Sequence, residues 1–177
     1  MRKFLMSVFV TLGFSASSAY GQIFPSVVGE LDLNQYLGKW YEVASTKPVF
    51  QRDCVCVTAE YGLTDEGNVS VVNSCRKSSP DGELDIAEGT AAATDNPAKF
   101  NVSFGGFSTP FSNYWVVDLA PDYSYAVVST AFRNPIWVLS RTPELDQSLL
   151  DDIYFDLADR GFNVDAISPT LQEGCKN

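Results

Sequence analysis

Reactive chemistry in this chain has few side chains to draw on, because its 177 residues include no histidine. The commonest general base is therefore missing. Four cysteines, Cys54, Cys56, Cys75 and Cys175, are the candidates for a strong nucleophile or a soft metal ligand. Cys54-Val55-Cys56 has the wrong spacing for a zinc knuckle, and no imidazole is present to complete a site, so neither a metal nor a cofactor is expected. Glu42 and Asp118 remain as possible acids. Alternation puts Glu42 on the same strand face as Trp40, where a buried glutamate near Arg141 reads as its ion-pair partner rather than as a catalyst.

The cysteines make better sense with the N-terminus in view. Met1-Arg2-Lys3 precedes an uncharged, mostly apolar run over residues 4–14 and a small-residue stretch over 15–21, the layout of a secretory signal peptide. Cleavage is expected after Gly21, leaving residues 22–177 as a single domain. The apolar run is too short for a membrane span, which needs roughly 20 residues. No cysteine lies beside the cleavage point to take a lipid, and no later segment could cross a bilayer. An exported chain with an even cysteine count points to two disulfides among three possible pairings. Counting residues across the turn at 64–67 sets Cys56 nearly opposite Cys75.

The formal charge of −10 becomes −12 once Arg2 and Lys3 leave with the signal. No basic stripe exists to neutralise phosphates, so nucleic acid and anionic membrane are poor partners. The product should be soluble and secreted, either extracellular or periplasmic.

Positioning falls to short strands. Gly38 lets the backbone turn, and the alternating run after Trp40 has the period of a strand, so the turn delivers an indole to the base of a sheet. Residues 31–37 read as a short helical turn capped by Asp32, covering one end. Residues 53–63 and 68–76 flank Thr64-Asp65-Glu66-Gly67, a hairpin signal. Further strands are expected over 84–93, 99–104, 113–119, 125–130 and 136–141. Within 99–104, Phe100, Val102 and Phe104 share a dry face and Asn101 and Ser103 a wet one. Eight strands joined by short turns imply an all-β, eight-stranded, antiparallel up-and-down barrel, whose closure removes exposed edges. Thr142 is then the expected cap of one amphipathic α-helix, with Pro143 at its first position. Leu145, Leu149, Ile153 and Leu157 recur along it until Arg160-Gly161, and the helix packs outside the barrel.

Three blocks resemble the lipocalin family: Leu37-Gly38-Lys39-Trp40-Tyr41-Glu42-Val43-Ala44, Asp122-Tyr123-Ser124-Tyr125-Ala126 and Trp137-Val138-Leu139-Ser140-Arg141-Thr142-Pro143. The branch that looks most similar holds apolipoprotein D and the bacterial outer-membrane lipocalins, through phrases such as Asn73-Ser74-Cys75-Arg76. The bacterial members carry a lipid-modified cysteine that this chain lacks. The resemblance implies a structural latch of Gly38, Trp40 and Arg141, with the guanidinium across the indole at the closed end. It also implies Cys56 bonded to Cys175 and Cys54 to Cys75, against the pairing favoured by register counting.

By the same resemblance Tyr61, Asn73, Phe104, Tyr114, Trp137 and Leu139 would line a pocket, and strand parity adds Phe100 and Val102. An eight-stranded barrel is just wide enough for one small ligand. The expected function is a secreted carrier of a hydrophobic molecule such as a fatty acid or other lipid, a sterol, a retinoid or a carotenoid. Two alternatives stand beside it. One is a lipid- or pigment-converting enzyme, which the missing histidine and the expected absence of a free thiol disfavour. The other is a protein-binding or pigment-complex subunit that forms a weak homo-oligomer, using loop aromatics such as Phe107 and Phe111. Asn68-Val69-Ser70 and Asn101-Val102-Ser103 are glycosylation sequons that matter in a eukaryotic secretory route.

Overall fold

The computed structural model describes residues 23–107 and 109–176, so the signal peptide expected over 1–21 lies outside the described residues. Helix α1 (Leu33–Tyr36) is one turn long, and the Asp32 carboxylate caps it by accepting from the Asn34 amide at 2.9 Å. At Gly38 the backbone turns with φ +93° and enters β1 (Gly38–Ser45). Seven strands follow: β2 (Cys54–Leu63), β3 (Val69–Lys77), β4 (Leu84–Ala93), β5 (Lys99–Phe104), β6 (Tyr114–Leu119), β7 (Tyr125–Ser129) and β8 (Trp137–Ser140). Each pairs antiparallel with the next, and β1 pairs with both β8 and β2, which closes the barrel.

A short ninth strand, β9 (Ser168–Pro169), was not anticipated. β1 pairs with β2 only over residues 38–41; beyond that β2 diverges, and β9 takes its place beside Ala44 and Ser45. The tail thus fills the seam. Thr170 N donates to Val43 O at 2.9 Å, Cys56 N to Leu171 O at 2.8 Å, and the Gln172 amide bridges the carbonyls of Glu42 and Val57.

Alternation along the strands separates two apolar clusters. Trp40, Tyr61, Val71, Phe100, Val128 and Leu139 face the barrel interior. Val43, Trp115, Val117, Val127 and Val138 face outward and pack against Ile153 and Leu157 of helix α2 (Gln147–Asp159). The helix starts later than the Thr142-Pro143 signal implied. Asp146 is the cap, accepting from the Ser148 amide at 2.9 Å, while the Thr142 hydroxyl donates to Glu144 O at 2.6 Å and holds a turn instead. The end at Arg160-Gly161 is as expected, with Gly161 at φ +78°.

The disulfides join Cys54 to Cys75 and Cys56 to Cys175. Register counting misplaces Cys56 because β2 carries a bulge. Val55 pairs with Arg76 but Thr58 with Ser74, and Cys56 sits at φ +55°, so two β2 residues oppose the single Cys75. The bulge turns Cys56 toward the tail.

Candidate ligand-binding site

A cavity of about 600 Å³ occupies the barrel interior. Tyr61, Asn73, Phe100, Val102, Phe104, Tyr114, Trp137 and Leu139 all line it. They arrive there by parity, since every second residue of an antiparallel strand faces inward. Phe104, at the end of β5, is the most exposed large apolar residue of this set at 38%. Asn73 presents an amide with no side-chain hydrogen bond among the described residues. Most of the wall is apolar, as in pockets for small hydrophobic molecules, with Glu42, Gln51, Thr58 and Asp85 among its other polar residues.

Below the cavity lies a latch. Trp40 is fully buried, and its indole nitrogen donates to Tyr36 O at 2.8 Å. The Arg141 guanidinium carbon stands 3.7 Å from the centre of the Trp40 ring system, a cation–π contact. Arg141 also donates to the carbonyls of Lys39 at 2.9 Å, Gln35 at 2.6 Å, Tyr36 at 3.2 Å and Tyr123 at 3.4 Å. One side chain thereby ties α1, β1 and the β6–β7 turn together. Gly38 is required at its place by its φ of +93°, which side-chain-bearing residues rarely adopt.

Arg141 does not pair with Glu42, contrary to expectation. The guanidinium is spent on backbone carbonyls at the closed end, whereas Glu42 lies farther up β1 beside the tail. Glu42 is 2% exposed and accepts from the Thr170 hydroxyl at 2.6 Å and from the Gln51 amide. Gln51 in turn accepts from the Trp137 indole at 3.1 Å. Glu42 reaches the cavity wall; Asp118 does not, and instead accepts from the Tyr125 hydroxyl at 3.2 Å.

Three tyrosine hydroxyls meet at the cavity's lower end. Tyr114 Oη is 2.6 Å from Tyr36 Oη and 3.1 Å from Tyr61 Oη. Burial lifts the hydroxyl pKa of Tyr36 and Tyr114 well above the usual 10.0 and pushes that of Tyr61 up to about 12. All three are therefore neutral hydrogen-bonding groups at ordinary pH. Tyr61 and Tyr114 belong to the expected set. Tyr36 does not, and its signal was its position four residues before Trp40, on a helical turn that closes the barrel.

Phe107 and Phe111 are exposed on the loop that follows β5. Asn101 has its amide engaged by the Thr109 carbonyl at 2.6 Å, so that sequon is folded into the same loop.

The lipocalin-like domain model matches residues 31–172. Outer membrane lipoprotein Blc of Vibrio cholerae is 36% identical over 147 residues, covering 82% of this chain and 85% of its own. Apolipoprotein D of Mus musculus is 30% identical over 188 residues, covering 97% and 96%. Among solved structures, the cockroach allergen Per a 4 superposes with a TM-score of 0.64 at 22% identity, over 85% of this chain and 93% of that one, which speaks to the fold. The barrel, the Trp40–Arg141 latch and these matches together place the chain in the lipocalin family.

Proposed function

We propose that this protein is an exported carrier that takes one small hydrophobic molecule out of water and holds it inside the barrel. The observation that carries this reading is the cavity of about 600 Å³, walled by apolar and aromatic side chains and latched below by Trp40 and Arg141. Burying apolar ligand surface yields about 25 cal/mol per Å², offset by the cost of immobilising the ligand. No bond needs to change. Fatty acids and other lipids, sterols, retinoids and carotenoids are the candidate ligands. The signal-like residues 1–21, two disulfides and similarity to an outer membrane lipoprotein support a location outside the cytoplasm.

Native mass spectrometry of the protein purified from its source, followed by organic extraction, tests the reading. One hydrophobic molecule per chain is expected. Protein that is ligand-free from its source, and that saturates with no fatty acid, retinoid or sterol at micromolar concentration, would contradict it.

A further inference from the structure

The tyrosine cluster at the bottom of the cavity has one proton too many. Three hydroxyls carry three protons, and the cluster makes two hydrogen bonds, both through Tyr114. If Tyr114 donates to Tyr36, Tyr61 donates to Tyr114 and the Tyr36 proton is left over. Reversing the chain leaves the Tyr61 proton, and letting both outer residues donate leaves that of Tyr114. In every arrangement one proton has no acceptor among the described residues. Tyr36 is 3% and Tyr61 8% exposed, so the missing acceptor has to come from whatever fills the cavity. An unmatched buried donor is costly, and a ligand oxygen placed there removes that cost.

The charge of that oxygen follows from the walls. No lysine or arginine lines the cavity among the described residues, and its two carboxyl-bearing residues, Glu42 and Asp85, are both acidic. Arg141 lies beneath the floor with its donors already turned to four backbone carbonyls. A carboxylate would enter an acidic, low-dielectric space with no cation in contact, which is expensive. A carbonyl accepts the same hydrogen bond without burying a charge. Arg141's positive field below the cluster still favours the negative end of that dipole.

We propose that the barrel takes its ligand oxygen-first: a neutral hydrophobic molecule whose buried end carries a carbonyl, which accepts the spare hydroxyl proton of Tyr36, Tyr61 and Tyr114. This rests on the carrier reading and adds the ligand's polarity and direction of entry. The burial-raised hydroxyl pKa values keep the cluster protonated, and so donating, across ordinary pH.

The test compares undecan-2-one, undecane and undecanoic acid, delivered from cyclodextrin at pH 7.5 and read by displacement of a neutral fluorescent dye. The ketone should bind the wild-type protein about fivefold more tightly than the alkane, the worth of one hydrogen bond, and the acid no more tightly than the alkane. In the Tyr36→Phe/Tyr61→Phe/Tyr114→Phe variant the ketone's advantage over the alkane should vanish, whatever the absolute affinity of either. A second readout needs no variant: the carbonyl stretch of bound ketone should lie below its value in hydrocarbon solvent. Equal affinities for ketone and alkane in the wild type, an unshifted stretch, or a preference for the acid would overturn the proposal while leaving a carrier. Failure of the alkane and ketone alike to bind would remove the carrier reading and this one with it.

Discussion

Thr170, in the C-terminal tail, donates its hydroxyl proton to Glu42 Oε1 at 2.6 Å across 128 positions of sequence. That bond holds a buried carboxyl group at the seam where β1 and β2 part, and it marks the tail as part of the barrel wall. Replacing Thr170 with valine keeps the shape and removes the donor. The expected loss is about 1–3 kcal/mol of stability, because the acceptor stays buried without its partner. Urea unfolding checks this: the midpoint should fall with the slope unchanged.

Arg141 should be the more sensitive position. Its guanidinium stacks on Trp40 and donates to carbonyls of three separate segments. Arg141→Leu removes every donor at once and should cost roughly 2–4 kcal/mol. Arg141→Lys keeps the charge but not the planar fork, and should fall between the two in a chemical denaturation series.

Alkali should unfold the protein through its buried tyrosines. The folded-state pKa of Tyr61 is raised from 10.0 to about 12, and those of Tyr36 and Tyr114 are raised as well, with desolvation the largest cause in each. Between the unfolded and folded values the unfolded chain binds fewer protons, so stability falls as pH rises. The contribution is complete below about pH 10 and is lost through about pH 12 for Tyr61, each group adding a slope of about 1.4 kcal/mol per pH unit. Urea midpoints between pH 9 and 12 should show this decline, and the triple phenylalanine variant should make it shallower, leaving the part due to Tyr125 and Tyr154, whose pKa values are also raised.

The two disulfides should differ in worth. The Cys56–Cys175 bond closes a separation of 119 residues and Cys54–Cys75 one of 21. Loop-closure entropy assigns them about 5 and about 3 kcal/mol respectively. The Cys56→Ser/Cys175→Ser variant should therefore unfold at lower denaturant than Cys54→Ser/Cys75→Ser. It should also release a bound dye faster, because it frees the tail that fills the β1–β2 seam.

Much of this architecture was legible in the residues themselves. Strand-favouring runs between turn signals marked all eight barrel strands, and Phe100, Val102 and Phe104 declared an inner row that the structure keeps. Gly38 and Trp40 marked the closed end. What escaped were features made by contacts distant in sequence. The bulge at Cys56 breaks the two-residue count on which register arithmetic depends. Nothing local to Ser168-Pro169 says that it will stand in for β2 beside Ala44. Glu42 looked like a partner for Arg141 because the two share an interior. Only the fold shows that backbone carbonyls claim the arginine first while Thr170 reaches the glutamate. The late start of α2 has a local cause, since two possible caps compete within five residues and Asp146 wins.

The central claim is that the barrel interior is the binding site, and a plug tests it most directly. Ala87 faces the cavity from β4 yet remains exposed, so tryptophan there fills ligand space without displacing core. A tryptophan-fluorescence titration with retinol should saturate at one equivalent in the wild type. In Ala87→Trp, Kd should rise at least about tenfold with the unfolding midpoint unchanged, since an occupied cup leaves little apolar surface to bury. Equal affinity in the two proteins would place the ligand elsewhere and contradict the account.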